Sequence, residues 1–344
     1  MGFYSYIKQN ENTFSGAKNI KYFYMPPKKK SNHLIVTFSG FHGRENEGIG
    51  ATYNYVKPIS KIDCHRLFIL DDYNGAPCYY LGGNKTNDYE VSVAALILKF
   101  ASEYRIQYQN IITCGSSKGG TAAVYFAFKY NFGYACVGAF QLKVGTYLQN
   151  VSNYTRESVL GLITGEYSIE SVKYLDNYFI DFFESMKDPK PYIKIHAGNK
   201  DPHYLNHVVP FLKILEKNNK KYDLDLQNYD NHGKVGTYYT EYLLEELPKI
   251  VGKNIFKKVE ISTIGNVINT NVESSKYFEE NADVQYAYYL YKEGQSERID
   301  YKMYTKNNTI EFAVVSPGKY RVKVFLKTND EKLTEYTDYV EVKF

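Results

Sequence analysis

An apolar run, Ile111, Ile112, Thr113 and Cys114, leads without a break into Gly115-Ser116-Ser117-Lys118-Gly119-Gly120. Behind it Thr121 to Tyr130 reads as a helix, with Ala122 and Ala123 near its start and Val124, Phe126 and Phe128 along it. A strand, a sharp turn and a helix form the setting that gives a G-x-S-x-G sequence its meaning. The turn lifts Ser117 out of the strand with its hydroxyl exposed, and Gly115 and Gly119 remove the Cβ atoms that would collide there. The first residue of the following helix, Lys118, can then offer its backbone N–H to a developing oxyanion.

Two further groups follow in the order nucleophile, acid, histidine. Tyr192 to His196 is a short β-like run, and the loop Ala197-Gly198-Asn199-Lys200-Asp201-Pro202 places Asp201 just beyond its end. A helix-like segment, His203 to Asn218, and an alternating run, Tyr222 to Tyr229, precede Asp230-Asn231-His232-Gly233. His232 therefore lies on a loop after a strand and before a final helix, Thr237 to Ile250. A histidine so placed takes the serine proton and returns it to the leaving group, while a carboxylate holds the imidazole in the right tautomer and stabilises the imidazolium. Asp201 is the expected acid, and Asp230, two residues before His232, is the alternative. His42 and His203 are read as pocket-rim or polar-loop residues. Asp71 and Asp72 are read as turn carboxylates closing a strand, and Lys118 as a surface residue or a cation near a substrate anion. No carboxylate and histidine cluster has metal-ligand spacing, so chemistry without a metal or cofactor is expected.

This set of motifs resembles the α/β-hydrolase fold superfamily over roughly the first 250 residues, about one large domain. The resemblance implies Ser117 at the nucleophile elbow, Asp201 in the acid loop and His232 as the catalytic histidine. The oxyanion loop of such a fold follows an early strand, and Leu34 to Phe38 followed by Ser39-Gly40-Phe41-His42-Gly43 fits that place, with Phe41 as the second N–H donor by position. Two departures bear on substrate class: the loop is not a triple-glycine type, and a lysine follows the nucleophile. A Gly-Ser-Ser-Lys-Gly-Gly elbow in a tyrosine- and lysine-rich chain is similar to the hydrolase-like proteins of bacterial capsule and surface-glycan biosynthesis and of accessory secretion of glycosylated adhesins. That resemblance implies an acyl-serine esterase or acyltransferase acting on a small acyl ester or an acylated glycan. The competing expectation is a noncatalytic assembly protein that keeps the scaffold and holds a glycan or protein partner.

The rest of the chain has two textures. Ile20 to Tyr24, Leu34 to Phe38, Arg66 to Leu70, Ile111 to Cys114, Tyr134 to Ala139, Tyr192 to His196 and Leu224 to Tyr229 are β-like runs separated mostly by helix-like stretches. Val91 to Tyr104 shows the helical period, with Val91, Ala94, Ala95, Leu98 and Ala101 on one face and Asn87 or Asp88 as cap. The alternation predicts an α/β fold with a mostly parallel sheet, and ligands at the carboxyl ends of its strands. Tyr147 to Thr164 and Ile169 to Met186 read as helices inserted between about 141 and 190, where such folds carry a lid. After Gly252 short alternating runs appear: Lys257 to Thr263, Val284 to Tyr291, Thr309 to Val314, Lys319 to Leu326 and Tyr339 to Phe344. Pro317-Gly318 and Asn329-Asp330 mark turns between them. The expected domains are thus a catalytic domain over 1–252 and an immunoglobulin-like β-sandwich over 253–344. The run Ser316 to Val324 resembles three-Y and fibronectin-like modules, which implies binding to a glycan, a protein partner or the catalytic domain.

Composition excludes other classes. No stretch is apolar for the ~20 residues that a membrane span needs. The start of the chain lacks the apolar core of a secretory signal, so the cytoplasm is expected, and Tyr6 breaks the myristoylation pattern. The net charge of +4 is dispersed, and the basic runs at Lys28-Lys29-Lys30 and Lys217 to Lys221 sit beside turns, so no nucleic-acid partner is expected. The four cysteines, Cys64, Cys78, Cys114 and Cys136, lack metal or disulfide spacing and read as buried thiols. The 37 tyrosines with no tryptophan fit either an A- and T-rich coding bias or platforms for sugars.

Overall fold

The computed structural model describes residues 3–41, 51–187, 189–275, 283–328 and 331–343. The contacts of the chain fall into two compact units, Met1–Leu243 and Leu244–Phe344.

The first unit is built on one sheet of eight strands: β1 (Glu11–Ser15), β2 (Asn19–Met25), β3 (Leu34–Phe38), β4 (His65–Ile69), β5 (Ile111–Ser116), β6 (Tyr134–Gly138), β7 (Tyr192–Gly198) and β8 (Tyr222–Gln227). Their spatial order is β1-β2-β4-β3-β5-β6-β7-β8. Strands β3 to β8 are mutually parallel, and β2 joins β1 and β4 antiparallel. Every residue of β3, β4 and β5 is buried, as expected of central parallel strands covered on both faces. That explains why they read as continuous apolar runs, whereas β1 is half polar and escapes a search for such runs.

The α-helices among the described residues are α1 (Phe3–Gln9), α2 (Val56–Ile59), α3 (Asp88–Glu103), α4 (Lys118–Tyr130), α5 (Val144–Val151), α6 (Gly161–Thr164), α7 (Ile169–Glu184), α8 (Val209–Lys217) and α9 (Val235–Val251). At the start of α3, Asn87 holds the N-cap position with a left-handed φ of 55°, but its side chain makes no capping hydrogen bond, and Asp88 Oδ1 accepts the N–H of Tyr89. The segment expected as one helix from His203 begins instead as a π-turn, Tyr204–Val208, and becomes α-helical at Val209. Pro210 has no N–H to return to the preceding turn, which favours a fresh helix start there. The insertion after β6 consists of α5, a π-turn at Thr155–Leu160, α6 and α7. Ser168 caps α7 by accepting the N–H of Ser171.

Beyond the end of α9, the described residues of the second unit form β-strands and their connections. Strands β9 (Phe256–Ile264), β10 (Val267–Ser274) and β13 (Thr309–Ala313) form a three-stranded antiparallel sheet. Strands β11 (Gln285–Lys292), β12 (Asp300–Thr305), β14 (Gly318–Lys327), β15 (Lys332–Tyr336) and β16 (Val340–Val342) form the other. Phe256, Ile268 and Phe312 from the first sheet share a core with Tyr288, Val322 and Val324 from the second, which makes the unit a sandwich. Strands β10, β12 and β15 lie outside the β-like runs expected from sequence, because polar residues such as Asn269, Asn271, Lys302, Thr334 and Glu335 interrupt their apolar ones. The expected turn at Asn329-Asp330 lies outside the described residues.

Candidate active site

The turn between β5 and α4 is as tight as its glycines suggest. A Cβ on Gly115 would run into the backbone of Gly119 and Gly120, and one on Gly119 into the carbonyl of Phe38. Between them Ser117 takes φ 53° and ψ −127°, a left-handed conformation that a non-glycine residue holds only when its surroundings force it. The surroundings are visible. Ser117 N–H donates to Gly138 O at 2.8 Å, and Tyr239 of α9 donates to Cys136 O while accepting Gly115 N–H at 3.0 Å. The ends of β5 and β6 are thereby locked beneath the serine.

The structure brings Ser117, Asp201 and His232 together across 115 residues of chain. His232, in a single turn of 3-10 helix after β8, places Nε2 3.0 Å from Ser117 Oγ and Nδ1 2.9 Å from Asp201 Oδ2. A carboxylate can only accept, so Nδ1 carries the proton and Nε2 is free to accept the serine hydroxyl. Asp201, just past β7, is fully buried. Burial alone would push its carboxyl up, but the hydrogen bond and charge of His232 and the N–H of His203 outweigh this, and the pKa is lowered. Asp230 does not join the group: its side chain is exposed and pairs with Lys234 at 3.0 Å.

Four residues differ from expectation. Lys118 is neither on the surface nor free for an anion. Its side chain is fully buried, and its ammonium lies 2.7 Å from Asp71 Oδ2. Asp71 is correspondingly more than a turn carboxylate, because its Oδ1 also accepts the N–H groups of Cys78 and Tyr80. Tyr80 OH in turn accepts the N–H of Ser39, so the elbow and the loop after β3 are tied to one buried network. His203 is not a loop bystander: its ring lies 3.6 Å, centroid to centroid, from that of His232. Its Nδ1 donates to Ala139 O at 2.9 Å, and burial with the nearby His232 pushes its pKa down to about 4. Gln141 belongs to none of the sequence motifs. It is fully buried, and its Nε2 donates to Ser117 Oγ at 2.7 Å. It stands three residues past the end of β6, and the rule that sites gather at carboxyl ends of strands was the signal that could have found it.

For the oxyanion, the N–H of Lys118 is the first of α4, which helix geometry leaves without an acceptor inside the helix. Phe41 is half-buried, with its ring edge-to-face on Tyr79 at 5.6 Å. His42 and Gly43 lie outside the described residues. Beside the site a cleft of about 520 Å³ is lined by Lys143, Thr146, Tyr147, His203, Leu205 and Asn206, among others. Helix α5 of the insertion supplies one wall, and His203 separates the cleft from His232 by one ring. Asp201, His203 and His232 also form the one group of candidate metal ligands among the described residues, with atoms within 4.8 Å of one another. A cation there would have to break the His232–Asp201 hydrogen bond, so these atoms are better accounted for by that bond. All four cysteines are buried thiols.

No family model matches the sequence, and no curated protein matches it. Among solved structures the chain is similar to the capsule O-acetyltransferase of Neisseria meningitidis serogroup A, at 21% identity and a TM-score of 0.59, over 70% of this chain and 98% of that one. The fold is that of the α/β-hydrolases. A ferulic acid esterase is similar at 13% identity and a TM-score of 0.50, over 70% of this chain and 97% of that one. The glycosylation-associated protein complex Gap123 from Streptococcus agalactiae is similar at 17% identity and a TM-score of 0.58, over 70% of this chain and 46% of that one. Among the described residues no helix is long and apolar enough to cross a membrane.

Proposed function

We propose that the protein is a serine-dependent acyltransferase or esterase that acts on a glycan or glycoconjugate through an acyl-Ser117 intermediate, with residues 1–252 as its catalytic domain. One observation carries this reading: Ser117 Oγ, His232 and Asp201 Oδ2 are linked at 3.0 and 2.9 Å, with the serine on a strained turn at a strand end.

The chemistry follows from that connectivity. As Ser117 Oγ bonds to the carbonyl carbon, His232 Nε2 takes its proton and the carbonyl electron pair moves onto oxygen. The backbone N–H groups of Lys118 and Phe41 hold that oxyanion, and Asp201 stabilises the imidazolium. When the intermediate collapses, the bond to the leaving group breaks and His232 returns the proton to it. Water or a sugar hydroxyl then attacks the acyl-serine by the same steps in reverse. Esterase and transferase differ only in which acceptor reaches the acyl group.

The likeness to a capsule O-acetyltransferase supports an acetyl group and a sugar hydroxyl as the transferred group and acceptor. That a mutant of the same enzyme has been solved in complex with CoA supports a thioester donor, and with it a cytoplasmic location. The likeness to the Gap123 complex supports an assembly role on the same scaffold, but an intact Ser-His-Asp connection favours the enzyme.

The test is incubation with acetyl-CoA, with and without a bacterial oligosaccharide, followed by peptide mass spectrometry. Acetyl on the Ser117 peptide, absent in Ser117→Ala, supports the reading. Faster discharge with oligosaccharide than in buffer identifies a transferase, and equal discharge an esterase. No acetyl-enzyme and no turnover of activated esters would leave the scaffold role.

A further inference from the structure

The outward face of the five-stranded sheet carries a set of cations and rings that the acyl chemistry does not use. Strand register sets it out. Tyr288, Val322 and Val324 turn inward to the sandwich core, so the alternate residues turn outward. Tyr289, Lys323 and Tyr336 stand directly opposite one another across β11, β14 and β15, and Gln285, Lys327 and Lys332 do the same further along. The side chains interlock. Arg298 Cζ lies 4.3 Å from the ring centre of Tyr289 and 4.4 Å from that of Tyr301. Arg321 lies 4.4 Å from Tyr336 and Lys323 5.0 Å from the same ring. Lys332 lies 5.1 Å from Phe325, and Lys327 5.4 Å from Tyr304.

Two features make this more than a solvated surface. First, charge is not balanced. The ion pairs of this unit among the described residues use Lys249, Lys257, Lys258, Lys306, Lys319 and Lys343, and none of the five cations just named. The strands themselves place one carboxylate on this face, Glu341, and it stands opposite Lys319 at the β16 end. Arg321 Nε is buried without a hydrogen-bond partner. Gathering like charges on one sheet costs repulsion that a polyanion would relieve. Second, the cations are held in place. Cation–π contacts fix their directions, and along β14 positions 321, 323 and 327 are roughly 7 and 14 Å apart by strand rise.

The kind of anion follows from what is left exposed. Because ammonium and guanidinium groups already cover ring faces, those rings offer little stacking surface to nucleic-acid bases. What they offer is tyrosine hydroxyls beside cationic forks suited to carboxylates, with Tyr301 and Tyr336 still 47% and 42% exposed. We propose that this face binds an acidic polysaccharide, a polymer whose sugars carry carboxylates, with Arg321, Lys323, Lys327 and Lys332 on the carboxylates and the tyrosine hydroxyls on the sugar. The proposal concerns the second unit alone and stands whether or not Ser117 is a nucleophile.

The test is calorimetric titration of the full chain with polygalacturonate, which carries a carboxylate on every ring, and with neutral dextran, an oligothymidylate and vesicles of phosphatidylglycerol and phosphatidylcholine. Two double variants with equal change in net charge are compared: R321E/K323E on the face, and K28E/K29E in the exposed lysine run of the first unit. R321Q/K323Q serves if the charge reversal fails to fold. The expected result is salt-sensitive binding of polygalacturonate and none of dextran. Binding should fall about tenfold or more in R321E/K323E or its glutamine form and stay within about twofold in K28E/K29E. No binding of polygalacturonate, equal loss in both doubles, or tighter binding of the oligonucleotide or the vesicles would each overturn the proposal.

Discussion

Gln141 Nε2 lies 2.7 Å from Ser117 Oγ, so the oxygen that faces His232 Nε2 also accepts a hydrogen bond from a buried amide. Thr121 holds this residue on two sides: its hydroxyl lies 2.8 Å from Gln141 O and 3.0 Å from Gln141 N. The amide fixes the serine rotamer that points at His232. Gln141→Ala is expected to slow serine acylation by an activated ester about tenfold, near 1.4 kcal/mol in the barrier, with the acidic limb of the pH–rate profile unmoved. Burst kinetics over a pH series check it, and an unchanged rate would remove Gln141 from the account.

The two candidate acids separate cleanly. Asp201→Asn leaves the shape of the site but offers His232 the wrong partner for its tautomer, and a loss of about 10³–10⁴ in acylation rate is expected. Asp230 is exposed and bonded to Lys234, and Asp230→Asn should stay within about twofold. The same ester assay on both variants decides the assignment.

The Lys118–Asp71 pair is wholly buried, and breaking one side leaves the other charge without compensation. Lys118→Met should cost about 3–5 kcal/mol in urea unfolding. Adding Asp71→Asn should recover part of that loss, because the stranded carboxylate is gone. A double variant less stable than Lys118→Met would contradict the pairing.

Acid should weaken the fold in two steps. Burial pushes His203 down to about 4 and His207 to about 3, with neighbouring histidines adding to the effect. Below the ordinary histidine value of ~6.5 the unfolded chain therefore binds protons that the folded chain refuses, and stability falls as pH drops from there toward 4. Asp201, lowered overall, contributes stability above the usual carboxylate range that is lost only at still lower pH, as its own folded value is crossed. Urea midpoints at pH 7 and pH 5 should differ, and His207→Gln should reduce that difference. An equal difference in the variant would contradict the assignment to His207.

The legibility of this chain in its sequence tracks burial. Strands β3 and β5 were readable because central parallel strands are continuous apolar runs, β7 as the shorter β-like run Tyr192 to His196, and Ser117 and Asp201 because they stand just past the ends of β5 and β7 and the elbow needs its glycines. His232 was readable from chain order. The edge strand β1 and strands β10, β12 and β15 were not, because one face of each is polar and their pattern resembles loop. Gln141, His203 and the Lys118–Asp71 pair were hidden for another reason. Their roles come from contacts across the sheet, between residues 24, 29 and 47 positions apart, and no local pattern marks them. His203 and His232 meet through a ring contact and through Asp201, and both links form only on folding.

An activated serine at Ser117 is read out by the intact mass of the protein after exposure to a small fluorophosphonate. Wild type is expected to gain one covalent adduct, on Ser117, and Ser117→Ala and His232→Ala to gain none. A folded wild-type protein that takes no adduct, or one labelled equally in Ser117→Ala, would mean that Ser117 is not an activated nucleophile.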